Sequence, residues 1–352
     1  MVKLVFVIFI AICAVAVAKL SADEENELFE NYLKKFNITD NQLNVHMYSS
    51  SSQPSKKKKS SKEIFLEKYY AIEEHNERYR NGDETYQQVI HPYSHLSHDD
   101  FLRYRTGLTS FLRISEKKSN NFTIDLKFTL PDNFNWVQSG VVRPVQNQGL
   151  CQCSYAFATV GAIEGQLSLL GNNSKLSEQE VVDCARYYLF FVIPIVLGCD
   201  GGNDVAVYDY AKKYNGLTTA EIYPYQGKVN RCQTNRPKVQ GSKVRSFVDV
   251  PADEEAMKQI LYTRGPLYVT IYASPTFASY TSGIYTDSLG ECDNMKSNHA
   301  LLLVGYGEEA DQDYWILKNS WGESYGENGY VRISRGVNLC NIAKDASYPN
   351  LY

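Results

Sequence analysis

The stretch QNQGLCQCSYAFA, residues 146–158, decides how the rest of this sequence is interpreted. Two cysteines and a serine lead directly into a mostly apolar run, and this run predicts a buried helix over Tyr155–Leu170. Nucleophilic side chains at the N-terminus of a helix are a common arrangement in enzymes that form covalent intermediates. The stretch therefore predicts a catalytic helix.

Three further motifs follow along the chain. Residues 199–202 read CDGG, residues 297–300 read SNHA, and residues 318–322 read KNSWG. A lone histidine before a strand or a lone NSWG indicates little, because each arises readily for structural reasons. Together with residues 146–158, and in this order, the motifs are specific.

The four motifs resemble those of the papain-like cysteine proteases, from about residue 125 to the end. The resemblance implies an α+β, papain-like two-lobe fold, with a helical lobe at about 144–235 and a β-barrel-like lobe at about 236–340. The cleft lies between the lobes, and a helical propeptide precedes them. The short prosegment is similar in texture to the mite group 1 allergen branch, which includes inactivated paralogues.

The resemblance also implies roles for individual residues. Gln148 corresponds to the oxyanion-hole glutamine, His299 to the general base, Asn319 to its orienting partner and Trp321 to the indole that shields this pair. Gly201 and Gly202 correspond to backbone that pairs with an extended peptide. Asp204, Thr270 and Asn298 are expected to line the pocket that binds the second residue before the scissile bond. Asp204 and Thr270 make this pocket more polar than is usual in the family. The implied disulfides are Cys151–Cys199, Cys184–Cys232 and Cys292–Cys340, which leaves Cys153 as a free thiol.

The register around the site identifies the nucleophile position. In the family pattern the nucleophile lies three residues after the bridge cysteine, and counting from Cys151 gives Ser154. Gln148 keeps its spacing before Cys151, and Ala156-Phe157 keeps its place afterwards, so no insertion can move Cys153 into that position. Serine has therefore replaced the nucleophile.

This replacement predicts a loss of catalysis. A cysteine beside a histidine at a helix N-terminus becomes a thiolate, with a pKa lowered from about 8.5 to about 3–4, whereas a serine hydroxyl forms no such ion pair. Two other departures accompany it: Gln152 replaces a glycine and should crowd a bound peptide, and Tyr155 replaces a tryptophan.

Cys153 as a substitute nucleophile is an alternative, but successive helical residues point about 100° apart, so its sulfur should face away from His299. A buried thiol or an intermolecular bridge is the other interpretation of Cys153.

Composition excludes several functions. The 352 residues are 43% hydrophobic and 22% charged, with a formal net charge of −4, which is ordinary for a globular protein and argues against nucleic acid as a partner. No CxxC pair or histidine cluster has zinc-like spacing, so we expect neither a metal nor a cofactor.

The N-terminal part predicts secretion and processing. Residues 1–18 have the charged, apolar and small-residue regions of a signal peptide, with a membrane anchor as the alternative. Residues 19–119 form the predicted prosegment, interrupted at 49–62 by a Ser/Lys-rich loop or processing signal, and 120–352 form the peptidase domain. Within the prosegment, His91 and His95 stand where the family's propeptide motif has Asn and Asp, a departure that argues against the pH-triggered release that the resemblance would otherwise imply. Sequons for N-glycosylation occur at Asn37, Asn121 and Asn172.

A mostly apolar insertion, residues 185–198, follows Cys184. It predicts either a partner surface or a plug beside the cleft, or an extension of the helical core.

The sequence thus favours a secreted, extracellular papain-like protein that no longer cleaves peptides. A lysosome-like or gut-lumen compartment is the variant of this location. We expect a monomer without a membrane span that binds its own propeptide and peptide or protein ligands, among them protease inhibitors or host and matrix proteins. The alternative is an active or weakly active endopeptidase that uses Ser154 or Cys153. A storage or purely structural role is a third possibility, which no bias in composition supports.

Overall fold

The computed structural model describes residues 19–43, 59–108, 129–185, 188–189, 193–194 and 198–352. The predicted signal peptide and Asn121 lie outside the described residues, as do residues 49–58 of the Ser/Lys-rich segment. Residues 19–108 hold the described part of the predicted prosegment, and we call residues 129–352 the C-terminal domain. Within the described part of the chain, no helix is both long and apolar enough to cross a membrane.

The prosegment is mainly helical. Serines at positions 21 and 60 cap its two long helices, each through a reciprocal hydrogen-bonded pair with a glutamate three residues later. Phe29, Tyr32 and Phe65 from these helices pack into a small aromatic core. Its elements are α1 (Ala22–Lys35), α2 (Asp40–Leu43), α3 (Ser61–Arg80), β1 (Tyr86–Gln88) and α4 (His98–Arg105).

The C-terminal domain places most of its helices before its strands, as the sequence predicts. The helices are α5 (Ser154–Leu169), α6 (Glu178–Cys184), α7 (Asp204–Lys213), α8 (Glu254–Arg264) and α9 (Pro275–Ala278), with a 3₁₀ turn at Leu339–Asn341. The strands are β2 (Phe134–Asn135), β3 (Tyr188–Leu189), β4 (Ile193–Pro194), β5 (Val244–Asp249), β6 (Leu267–Ile271), β7 (Tyr280–Tyr285), β8 (His299–Glu309), β9 (Gln312–Lys318), β10 (Tyr330–Ser334) and β11 (Ala346–Leu351).

One sheet holds most of the strands, in the order β1-β7-β10-β9-β8-β6-β11-β5, with β2 paired to β8. In the antiparallel pair of β6 and β8, His299 lies opposite Ile271. His299 is the first residue of β8, so the predicted base lies at the end of this strand. The prosegment adds β1 to the outer edge of β7, where Tyr86 pairs with Gly283. Gly283 has φ +96° and a Cβ there would lie 2.4 Å from the carbonyl oxygen of Thr85, so only glycine fits this crossing.

Two large hydrophobic cores divide the C-terminal domain. One fills the sheet around Trp315 and Leu303, and the other surrounds α5 with residues such as Val160 and Val207. Helix α5 is buried on nearly every face, as its mostly apolar sequence predicts, and packs against β8. The predicted α+β class is confirmed. The lobe limits stay a prediction, although β2 and β11 lie outside 236–340 and still pair within the sheet.

Three disulfides join Cys151 to Cys199, Cys184 to Cys232 and Cys292 to Cys340. Six residues of the apolar insertion 185–198 are described. Four of them form the two-residue strands β3 and β4, which pair antiparallel. Both interpretations of the insertion therefore stay predictions.

Candidate active site and the segment that fills it

Ser154 is the first residue of α5 and is fully buried. Its hydroxyl oxygen accepts a hydrogen bond from the backbone N–H of Ala300, at 3.1 Å. The position lies at the positive end of the helix dipole, where a developing anion is stabilised. The backbone bond, however, occupies the oxygen without activating it, because an amide removes no proton from a hydroxyl.

His299 and Asn319 form a close pair. Nε2 of His299 lies 2.9 Å from Oδ1 of Asn319, and the imidazole stacks on Trp321 with ring centroids 4.6 Å apart. Nδ1 of His299 is buried and has no hydrogen-bond partner among the described residues. Burial lowers the pKa of His299 to about 3, the bond to Asn319 opposes this shift, and the positive charge of Arg105 reinforces it. The imidazole is neutral, so no ion pair with position 154 exists.

Gln148 is held in place from both ends of its amide. Its Oε1 accepts from the hydroxyl of Ser320, at 2.7 Å, while its Nε2 donates to the carbonyls of Cys151 and Thr106, at 2.8 and 2.9 Å. Thr106 belongs to the prosegment, and its carbonyl therefore occupies the donor that the resemblance assigns to the oxyanion hole.

The prosegment continues from Thr106 directly across Ser154. A Cβ on Gly107 would lie 2.5 Å from the backbone nitrogen of Ser154 and 2.8 Å from its hydroxyl oxygen, so only glycine fits this approach. The carbonyl of Gly107 accepts from the N–H of Gly202, at 3.0 Å, and the N–H groups of Gly107 and Leu108 both donate to the carbonyl of Asn298, at 3.2 Å. Residues 106–108 thus lie in the cleft as an extended ligand would.

A side chain at position 202 would also collide with Tyr155, because a Cβ on Gly202 would lie 2.7 Å from the tyrosine ring. Tyr155 is fully buried and donates its hydroxyl hydrogen to the carbonyl of Gly198, at 3.1 Å. Gly201 precedes this contact with φ +104°. The tyrosine that replaces the expected tryptophan therefore shapes the backbone along which the prosegment runs.

The three residues expected to line a specificity pocket lie on different elements. The carboxylate of Asp204 is fully buried and accepts from the hydroxyl of Ser347, at 2.6 Å. Thr270 is buried on β6, where its hydroxyl has no hydrogen-bond partner among the described residues. Asn298 accepts from the N–H of Ala273, at 2.8 Å, and contacts the prosegment through its backbone. Their common role in one pocket stays a prediction.

Cys153 is a free thiol and is fully buried. Its sulfur lies 3.1 Å from the hydroxyl of Tyr225, which in turn donates to the carbonyl of Gln148, at 2.7 Å. Burial raises the pKa of the Cys153 thiol to about 12, so it holds almost no thiolate at neutral pH.

A cluster of possible metal ligands, Asp287, Cys292 and Cys340, lies away from this site. Both of its sulfurs are in a disulfide, and Asp287 accepts from the N–H groups of Glu291 and Cys292, at 2.8 and 2.7 Å. These residues already have partners, and the cluster does not fit a metal ion.

Three contacts at the site had no signal in the sequence. Ala300 bonds Ser154 through its backbone, Arg105 buries its side chain beside Trp321, and Gln152 donates its side-chain N–H to the prosegment carbonyl of Leu102, at 3.3 Å. Backbone donors carry no residue signature, and the position of the prosegment on the cleft depends on tertiary packing. The side chain of Gln152, expected only to obstruct a peptide, instead helps to hold the prosegment.

Comparison with known proteins gives a consistent result. The family model described as "Papain family cysteine protease" matches residues 130–350. The chain is 35% identical over 350 residues to a "Cathepsin L-like" protein of Caenorhabditis elegans, covering 96% of each, and 36% identical over 300 residues to a "Cathepsin L-like peptidase" of Aedes aegypti, covering 81% and 85%. The solved structure of the digestive procathepsin L2 proteinase from Tenebrio molitor larval midgut is 31% identical and superimposes with a TM-score of 0.77, covering 93% of this chain and all of that one.

Proposed function

The chain belongs to the papain family of cysteine proteases, and we propose that it is a catalytically inactive member that acts by binding. The observation that carries this proposal is the serine hydroxyl of Ser154 in the nucleophile position, bonded to a backbone amide and not to His299. Loss of a nucleophile typically lowers turnover by about 10⁶-fold, because the remaining oxyanion donor and substrate contacts provide only weak catalysis.

The retained parts of the site support binding as the remaining function. Gln148, Gly202 and the carbonyl of Asn298 each hold backbone groups of the prosegment through hydrogen bonds of 2.9–3.2 Å. These contacts recognise main chain and are independent of the nucleophile, so a cleft without chemistry can still hold an extended peptide. The ligands in this proposal are peptides, protease inhibitors, or host and matrix proteins.

Access to the cleft then requires removal of the prosegment by another protease, because an inactive enzyme cannot process itself. Secretion through the predicted signal peptide, a monomeric state, and a relation to the mite group 1 allergens belong to the same proposal. So do glycans at Asn37, which is exposed after α1, and at Asn172, whose side-chain N–H donates to the carbonyl of Gln240 at 3.1 Å.

A weakly active hydrolase is the second candidate function. The pair of His299 and Asn319, at 2.9 Å, and the position of Ser154 at a helix N-terminus favour it. In this case His299 would take the proton from the Ser154 hydroxyl during attack, as in serine hydrolases, after release of the prosegment has freed both groups.

One experiment separates the two functions. The full chain is prepared as wild type, Ser154→Cys and Ser154→Ala, and the prosegment of each is digested by an added protease that is then removed. Each is treated with an epoxide selective for papain-type thiolates, and intact mass and peptide hydrolysis are measured. We expect label and hydrolysis only in Ser154→Cys. Hydrolysis by wild type above that of Ser154→Ala would contradict inactivity, and labelling of wild type at Cys153 would contradict the register.

A further inference from the structure

Arg105 of the prosegment is a buried cation without an acidic partner. Its side chain is 1% exposed, and none of the described carboxylates lies within ion-pair distance of it. Transfer of a guanidinium from water into a protein interior is costly unless hydrogen bonds or a counter-charge replace the lost hydration. The pocket around Arg105 must therefore supply compensation of another kind.

Most of that compensation comes from the C-terminal domain. One terminal nitrogen of the guanidinium donates to the carbonyl of Gly149 and to Oδ1 of Asn147, the latter at 3.3 Å. The guanidinium carbon lies 5.9 Å from the ring centre of Trp321 and 4.0 Å from that of Tyr93. Of these four groups only Tyr93 belongs to the prosegment, so three remain when the prosegment leaves.

The position of this pocket relative to the cleft is fixed by the backbone. The carbonyl of Arg105 accepts from the indole N–H of Trp321, at 2.7 Å, and the next carbonyl, that of Thr106, accepts from Gln148. The arginine side chain thus enters one residue before the carbonyl that Gln148 holds. A cavity of about 50 Å³ remains beside it, bordered by Asn147, Trp321 and Tyr325, which leaves room for a side chain placed slightly differently.

We propose that Asn147, the carbonyl of Gly149 and Trp321 form an arginine pocket, a subsite of the cleft that binds an arginine side chain of a peptide ligand. This inference rests on the proposed binding function and specifies its ligand class as arginine-bearing peptides. The prosegment occupies the pocket with Arg105 until it is removed. Neutral oxygen acceptors and an aromatic ring recognise the guanidinium through its flat shape and the fixed fork of its N–H donors, whereas a lysine ammonium is a compact charge without a flat face.

The test uses the full chain with a protease site introduced within residues 109–128, cut so that both pieces stay together. Synthetic peptides of residues 97–108 then displace the fluorescently labelled prosegment, and anisotropy gives the half-displacing concentration of each peptide. One peptide has the natural sequence, one has citrulline at position 105, and one has citrulline at position 103. Citrulline keeps the shape of arginine but is neutral. Arg103 is exposed and serves as the matched control.

We expect citrulline at position 105 to raise the half-displacing concentration about ten- to a hundredfold, and citrulline at 103 to leave it unchanged, since hydrogen bonds from charged groups are the strong ones. Equal displacement by all three peptides would overturn the arginine pocket while peptide binding by the cleft stands. Failure of every peptide to displace the prosegment would overturn the binding function itself, and this inference with it.

An Asn147→Asp variant of the cut chain provides a second test. Aspartate keeps the oxygen that accepts from the N–H of Gly149, at 2.9 Å, and adds a negative charge beside the guanidinium. The ratio of half-displacing concentrations between the 105-citrulline and natural peptides should grow a further five- to tenfold, in line with a charge-assisted bond. An unchanged ratio would place the guanidinium of the ligand elsewhere.

Discussion

Lowering the pH should loosen the prosegment through His91, and replacing His91 by glutamine should remove that part of the response. Five of the six histidines lie in the prosegment, and His299 is the exception. Nε2 of His91 lies 3.1 Å from the carbonyl of Tyr280, and its ring centroid lies 5.6 Å from that of Tyr325. Burial lowers the pKa of His91 to about 4, and the nearby positive charges of Arg105, Lys35 and Lys68 act in the same direction.

The direction of the pH effect follows from this shift. Between pH 6.5 and pH 4 the released or unfolded prosegment carries a proton on His91 that the docked form does not, so the docked form loses stability as the pH falls through this window. A difference of 6.5 − 4 = 2.5 pKa units corresponds to about 3 kcal/mol below pH 4. Because the ring is partly exposed, solvent screening reduces this value, and we expect about 2 kcal/mol.

The assay is urea unfolding of the full chain at pH 7, 6, 5 and 4, followed by tryptophan fluorescence. Trp321 reports on docking because Phe101 of the prosegment packs against it edge-on, with ring centroids 5.2 Å apart. His91→Gln keeps an N–H donor for Tyr280 but cannot be charged, so its free energy of unfolding should fall by about 2 kcal/mol less than that of wild type.

Ser94→Ala is the matched control. The hydroxyl of Ser94 accepts from the backbone N–H of His91, at 3.0 Å, and carries no charge, so its loss should lower stability equally at every pH. Parallel pH profiles for wild type and His91→Gln would refute the reasoning. His75 and His98, whose pKa values burial also lowers, would still give both proteins a common slope.

Other changes have equally direct expectations. Gly107→Ala would force a methyl group against Ser154, and we expect docking of the prosegment on the cleft to weaken by about 1–3 kcal/mol. An added protease should then digest the prosegment faster, and an unchanged rate of digestion would contradict the close approach of Gly107 to Ser154. Cys153 should resist iodoacetamide at pH 8 in the native protein and react once urea unfolds it, counted by intact mass, since burial raises its pKa to about 12. Glu180→Ala would leave Lys238 without its buried partner, and urea unfolding should show a loss of about 3–5 kcal/mol; a loss below 1 kcal/mol would argue against this ion pair.

The sequence predicted the elements that local pattern determines. The helix expected over Tyr155–Leu170 spans Ser154–Leu169, because a mostly apolar run of this length has few alternative structures. The disulfides implied by the resemblance are present in the structure. The assignment of Ser154 to the nucleophile position came from the resemblance together with counting along the chain, and it stays a prediction.

The sequence could not predict how the prosegment meets the cleft. Arg105 lies in a charged helix whose pattern favours exposure. It is buried because Trp321 bonds its carbonyl and Gln148 bonds the next carbonyl, that of Thr106. Likewise, the neutral state of His299 depends on its burial beneath a segment distant in sequence. Such outcomes arise from long-range packing, which composition and periodicity do not record.

The two disulfides of the helical lobe are interleaved, since Cys184 lies between Cys151 and Cys199, and Cys199 lies between Cys184 and Cys232. A cut anywhere in residues 185–198 would therefore leave two fragments tied to each other by both bridges, and the break would show only on a reducing gel. The apolar insertion can thus be nicked without shedding either half of the molecule. The same covalent topology makes residues 185–198 a convenient place to graft an epitope or a cleavable reporter.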